Sequence, residues 1–302
     1  MAANGNPTVR RRRLGAELRR LRLARGLTSN QVAEHLLISQ PKVSHLENGR
    51  RAISPRDVRD LCGLYDVTDQ QVIDSLMEMA AESNRQGWWT ACGEVPHAVY
   101  IGLETAAASV RSYEPLVIPG LLQTRAYAAA VIAETIPLAA EEQIAVRLGV
   151  RLGRQARAHH PARPFRLWVV LDESVLRRVV ASPEIMREQL DHLNRLGEQP
   201  HITVQVLPYS AGAHPGICGQ FSILDLQDTA TGMVYLERFT SDLYLEKRSD
   251  VRHYDAMFDH LRSRALSPEH TRTFITRAAE GLPDTASRFR HRAVVTGTGE
   301  WG

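Results

Sequence analysis

Gln40, Pro41, Ser44 and His45 fall on one face of a short segment, and Val43 and Leu46 on the other. On a helix, this turns an amide, a small apolar ring, a hydroxyl and an imidazole outward. Such a face can read base edges in a groove, where each base pair shows its own donor and acceptor pattern. Ser29, Lys42, Asn48, Arg50 and Arg51 lie close by in sequence and suit phosphate oxygens. Other residues could do chemistry of a different kind. His159-His160 invites a metal, but neighbours at a helix end point apart, and cations decorating a helix C-terminus account for them. Asp172-Glu173 follows a strand and opens a helix, which is the ordinary place for acidic residues. His214 sits in a Gly-rich loop and is a candidate ligand contact. Trp88-Trp89 reads as a plug between two domains or as an aromatic platform. Pro119–Thr124 reads as a tight turn into a helix, with Pro119 in its first turn; Pro119, Gln123 and Thr124, with Trp88 and Trp89, are candidates for a ligand or partner pocket.

Established catalytic patterns are absent from the sequence. There is no His-Glu-x-x-His and no Gly-x-Ser-x-Gly. Lys42 and Lys247 are the only lysines, which excludes a P-loop and leaves a self-cleaving Ser–Lys dyad dependent on Lys247. No catalytic residue, metal site or cofactor is therefore expected, and the chain is not expected to be an enzyme.

Periodicity supplies the elements that position these residues. Leu14, Leu18 and Leu21 mark a helix over 10–26 that stops at Gly26. Thr28 and Gln31 form a capping box for a second helix. Ser39 is the expected N-cap of a third, Gln40–Asn48, stopped by Gly49. Ser54-Pro55 and Asp69 open a fourth and a fifth. Beyond residue 85 the pattern is mixed. Helices are expected at 97–112, 120–134, 140–158, 173–180, 182–198, 249–265 and 267–280. Strands are expected at Phe165–Leu171, Ile202–Leu207, Gln220–Leu226 and Met233–Glu237. The fold class is an all-α N-terminal domain of five helices followed by a mixed α+β C-terminal domain. The expected boundaries are an arm at 1–9, a helical domain at 10–80, a body at 85–283 and a loose tail at 284–302.

A length of 302 residues fits two domains, and 43% hydrophobic content supports a core. The net charge of +3 conceals an asymmetry. Residues 1–60 carry 13 basic and five acidic side chains, whereas the remainder carries 24 and 29. A basic head on an acidic body points to a polyanionic partner. Arg10–Arg13 fit either a solvated arm or minor-groove and phosphate contacts. Three widely spaced cysteines fit reduced thiols, and no apolar run is long enough for a membrane helix. A cytoplasmic protein is expected.

Two short helices joined by a tight turn, the second with polar residues outward, make a helix-turn-helix. The string from Leu27-Thr28 through Ile38-Ser39-Gln40 to Leu46-Glu47-Asn48-Gly49-Arg50 resembles the phage-repressor-like (Xre) DNA-binding domain over about residues 10–75. The resemblance implies that Gln40, Pro41 and His45 contact bases, and that Arg22 and Glu47 form a structural pair. It also marks one departure: Leu37 stands where the turn usually has glycine. A left-handed Leu37 would cost on the order of 1 kcal/mol. Gly87-Trp88-Trp89, Tyr100–Glu104, Pro119–Thr124, Leu171-Asp172-Glu173 and Val204–Pro208 resemble the C-terminal domain of actinobacterial regulators of the WhiJ-like and antitoxin-like kind. That resemblance implies transcriptional regulation through double-stranded DNA at a pseudo-palindromic operator, a homodimer, and a small partner protein encoded next door. Its alternatives are sequestration of that partner as the main role, or an undetected activity in the body.

Overall fold

The computed structural model describes residues 7–84, 87–88, 97–136, 140–158, 165–226, 232–238 and 242–283. Trp89, His159, His160 and the expected tail lie outside the described residues. The chain divides into two compact units. The described residues up to Ala107 form the first, and those from Ala108 onward, Leu226 apart, form the second.

The first unit is helical: α1 (Pro7–Ala24), α2 (Ser29–His35), α3 (Gln40–Glu47), α4 (Pro55–Leu64), α5 (Gln70–Ser83) and α6 (Ala98–Ala106). The first five are those expected, and α6 packs against α1. Leu14, Leu18, Val32, Val43, Leu46, Val58, Leu61 and Leu76 meet in one buried cluster. Each such side chain contributes about 1.5–3 kcal/mol of burial. Arg10–Arg13 belong to α1 and not to an arm. Arg10 pairs with Glu82, and Arg11 donates to the Ser83 carbonyl at 2.8 Å, so two of the four arginines are committed to the end of α5.

The first four helices end in the same way. After each, a residue of positive φ lets two amides turn back onto the last carbonyls. For α3 this residue is Gly49 (φ 63°): Gly49 N–H donates to Leu46 and Arg50 N–H to His45. Gly26 does the same for α1, and Asp66 (φ 60°) for α4. After α2 the residue is Leu37, at φ 55°, with Ile38 N–H bonded to Ala33. The left-handed leucine that the sequence implied is present, and it is 93% exposed.

The second unit is α+β. A six-stranded sheet has the order β3-β2-β1-β4-β5-β6, built from β1 (Ala107–Glu114), β2 (Arg166–Asp172), β3 (Ile202–Leu207), β4 (Phe221–Leu226), β5 (Met233–Glu237) and β6 (Asp242–Leu245). β1, β2 and β3 run parallel, whereas β5 is antiparallel to both of its neighbours, β4 and β6. The helices are α7 (Arg125–Thr135), α8 (Glu141–Ala158), α9 (Glu173–Arg177), α10 (Pro183–Leu196), α11 (Arg248–Arg264) and α12 (Pro268–Glu280). Ser182 and Ser267 cap α10 and α12 as expected, accepting from Ile185 N–H at 3.3 Å and His270 N–H at 3.2 Å.

Two expectations need correction. The helix read over 97–112 ends at Ala106, and the chain continues directly as β1, the central strand next to β2 and β4. The helix read over 120–134 is two elements: a single 3-10 turn at Gly120–Leu122, then α7, whose N-cap is Thr124. The core beneath the sheet gathers Tyr113, Val170, Leu207, Phe221, Ile223, Val234, Phe258 and Leu261. The outer edge of β3 is closed by α12 and the residues before it: Val206 N–H donates to Thr271 Oγ1 at 3.0 Å, and Leu266 N–H donates to the Val206 carbonyl at 2.8 Å.

Candidate nucleic-acid interface

α2 begins on Thr28. Its hydroxyl accepts from Gln31 N–H at 3.3 Å, while Gln31 Oε1 accepts from Thr28 N–H at 2.8 Å, completing the capping box. α3 follows the Leu37 turn. Ser39 stands at its N-cap with no side-chain cap bond, contrary to the role expected of its hydroxyl. Val43 and Leu46 bury the inner face of α3, and Gln40, Pro41, His45 and Asn48 are exposed; Ser44, Lys42 and Ser29 are half-buried. Arg50 and Arg51 are exposed just beyond Gly49.

Side-chain bonds order this face. Gln40 Nε2 donates to Ser29 Oγ at 3.0 Å, tying the first residue of α3 to the first of α2. The amide keeps its second N–H and its Oε1, the pair that grips adenine in bidentate fashion. Asn48 Nδ2 donates to Ser44 Oγ at 3.2 Å. Lys42 and Arg51 line a cleft of about 340 Å³ with Leu36, Ile38, Ser54 and Asp57, so these two cations border an acidic side chain as well as solvent.

Arg22 and Glu47 hold the face in place. Arg22 Nε and Nη2 donate to the two Glu47 carboxylate oxygens at 2.6 and 2.9 Å, and Nη1 donates to the Leu27 carbonyl at 2.7 Å. Donating to the Glu47 carboxylate raises the guanidinium pKa above its ordinary value. α1 also meets the end of α3 through Gly15, where a Cβ would lie 2.5 Å from the Leu46 carbonyl oxygen, and through Gly49, where it would lie 2.6 Å from the Arg12 Cα.

The described pocket candidates fall in both units. Trp88 belongs to the first unit and Pro119, Gln123 and Thr124 to the second. Gln123 and Thr124 are buried in internal bonds. Gln123 donates to the Ile118 carbonyl at 2.6 Å and accepts from Arg151 at 2.8 Å, while Gln189 accepts from Thr124 N–H at 2.7 Å. The structure does join Asp172 to His214, two residues noted separately in the sequence, and adds Tyr113, which was not. Tyr113 donates to Asp172 Oδ2 at 3.2 Å, and His214 Nε2 lies 3.8 Å from the same oxygen. Among the described residues, no cluster of three or more His, Cys, Asp or Glu side chains could hold a metal ion, and no helix is long and apolar enough to cross a membrane.

Residues 98–277, well over half of the chain, match the family described as a domain of unknown function, DUF5753. The chain belongs to the DUF5753 family. Residues 13–76, ahead of the DUF5753 region, match a helix-turn-helix domain, which supports a DNA-binding regulator of transcription. That match takes in α2, α3 and the turn between them. The DUF5753 match starts at α6, the helix that packs on α1. No curated protein and no solved structure matches the chain.

Proposed function

We propose that this DUF5753 protein is a sequence-specific transcriptional regulator of the Xre type that inserts α3 into the major groove of its operator. The observation that carries this reading is the exposed row of Gln40, Pro41 and His45 on a buried-faced helix, with Gln40 pre-oriented by Ser29. Gln40 reads adenine, Pro41 meets a thymine methyl and His45 donates to a guanine acceptor. Arg50, Arg51, Lys42, Ser29 and Asn48 hold phosphates and set the register. The body dimerises, senses a ligand or docks a small partner, and carries out no chemistry of its own. As a cytoplasmic homodimer it presents two α3 helices about 34 Å apart to a pseudo-palindrome. With about ten phosphates neutralised per dimer, log K falls against log[salt] with a slope near −9.

The test is a selection of genomic fragments by the purified protein at about 150 mM salt, run beside Gln40→Ala/His45→Ala. A palindromic site enriched by the wild type and lost by the double variant is the expected result; no enriched site overturns the reading. Arg50→Ala should weaken binding to all sequences alike, with the salt slope reduced by about one. A changed sequence preference would place Arg50 on a base instead.

A further inference from the structure

β3 lies at the sheet edge and β4 on the far side of β1, so the chain between them must cross β2 and β1. It does so at the carboxyl ends of the parallel strands, because Phe221, the first residue of β4, packs beside Tyr113 near the end of β1, with ring centroids 6.2 Å apart. This strap, Pro208–Gln220, is seated by separate contacts. Tyr209 N–H donates to Glu173 Oε2 at 2.9 Å. Arg264 of α11 donates to the Ala213 carbonyl at 2.7 Å and to that of Ala211. Gly216 lies on Tyr113 so closely that a Cβ would come within 2.5 Å of the ring.

His214 is the strap's inward side chain. Only 10% of it is exposed, and it stands edge-on to Tyr113 with centroids 5.7 Å apart. Its Nδ1 is buried with no hydrogen-bond partner, against the Gly216 backbone. Its Nε2 faces Asp172 Oδ2 at 3.8 Å, beyond hydrogen-bond reach, and that oxygen already accepts from Tyr113. The other oxygen, Asp172 Oδ1, accepts from Ser174 N–H at 2.9 Å. With Nε2–H turned to Asp172, an added proton can go only to Nδ1. There it becomes a buried donor with no acceptor, which costs the full desolvation of that group.

We propose that the strap is a proton-operated latch: neutral His214 keeps it seated over β1 and β2, and protonation of His214 releases it. Every element packed on the ring bears on its charge. Burial holds the imidazole below its ordinary pKa; Asp172 of β2 opposes this, and Arg264 and His260 of α11 add to it. Tyr113 of β1 contributes no charge, because burial, with Asp172 adding to it, raises its pKa and keeps it protonated. A lowered pKa in the seated state means that the seated strap is favoured above the free imidazole value of about 6.5 and loses that advantage as pH falls. Release would uncover Asp172 and Tyr113 beside β1, where the strand order turns from β2 to β4. In open sheets with parallel strands, this is the place that takes ligands.

Hydrogen exchange on the full chain tests the latch, after correction for intrinsic rates, between about pH 5 and 7.5. Ala211, Gly212, Ile217 and Gly219 donate within the strap and report its opening. Their opening constant should rise about tenfold per pH unit below about 6.5, until the pH falls below the pKa of the seated imidazole, while the amides of β2 stay unchanged. His214→Gln should abolish that slope. A flat wild-type profile, or an equal slope in His214→Gln, overturns the proposal. If the variant does not fold, NMR titration of wild-type His214 decides: a midpoint below about 6.5 is expected, and one at or above it refutes the latch.

Discussion

Replacing Glu47 by alanine tests whether the α3 face is held from behind. The Arg22 and Glu47 side chains are 9% and 8% exposed, and they share two charge-assisted bonds of 2.6 and 2.9 Å. Alanine leaves the guanidinium buried with only its bond to the Leu27 carbonyl and no counter-charge. Breaking one side of such a pair costs about 3–5 kcal/mol, a large share of the stability of a domain. At roughly 4–8 °C per kcal/mol for a unit of this size, the first unit should melt at least about 12 °C lower. Differential scanning calorimetry of the full chain measures this directly. The paired variant Arg22→Leu/Glu47→Leu is the diagnostic control, because it removes both charges and refills the space with apolar groups. It should lose less than Glu47→Ala alone. The reasoning is refuted if Glu47→Ala melts with the wild type, or if the double variant is the worse of the two.

Two further substitutions probe the same unit. Leu37→Gly relieves a left-handed leucine at φ 55° whose side chain buries almost nothing. After the larger unfolded-state entropy of glycine is subtracted, it should stabilise by roughly 0.5–1 kcal/mol; a urea midpoint that falls would show that the side chain does pack. Gly15→Ala sets a methyl 2.5 Å from the Leu46 carbonyl oxygen, which belongs to rigid helix backbone, and should cost about 3 kcal/mol or more by forcing α1 off α3; an unaltered melting curve followed by circular dichroism would reject that packing.

The helices were legible because their starts and stops are chemical. Thr28 with Gln31, Ser54, Asp69, Ser182 and Ser267 bond their first-turn amides as the residue types demand. Gly26 and Gly49 close the ends. Leu37 was legible only as a conflict between residue and position, and the structure resolves it in favour of the position. β1 was hidden because Ala107-Ala108-Ser109 carries no β-branched residue and follows an apolar helical run without a break. β6 is four residues long, too short for alternation to show. Arg10 and Arg11 read as a solvated arm or as DNA contacts because their partners, Glu82 and the Ser83 carbonyl, are some 70 residues away. Asp172 and His214 were each visible, but their meeting depends on a strand order that no local pattern encodes.

The packing of α6 on α1 has a consequence for how this chain can be taken apart. Sequence families divide it before residue 98, whereas packing divides it after Ala107. A fragment ended near residue 85 would keep α1 to α5 yet strip α1 of one of the helices that pack on it. The smallest transplantable head therefore ends with α6, and a chimera that exchanges α1 must exchange α6 with it. The helix-turn-helix match alone thus understates the head, whose last helix is carried in the stretch that matches the neighbouring family.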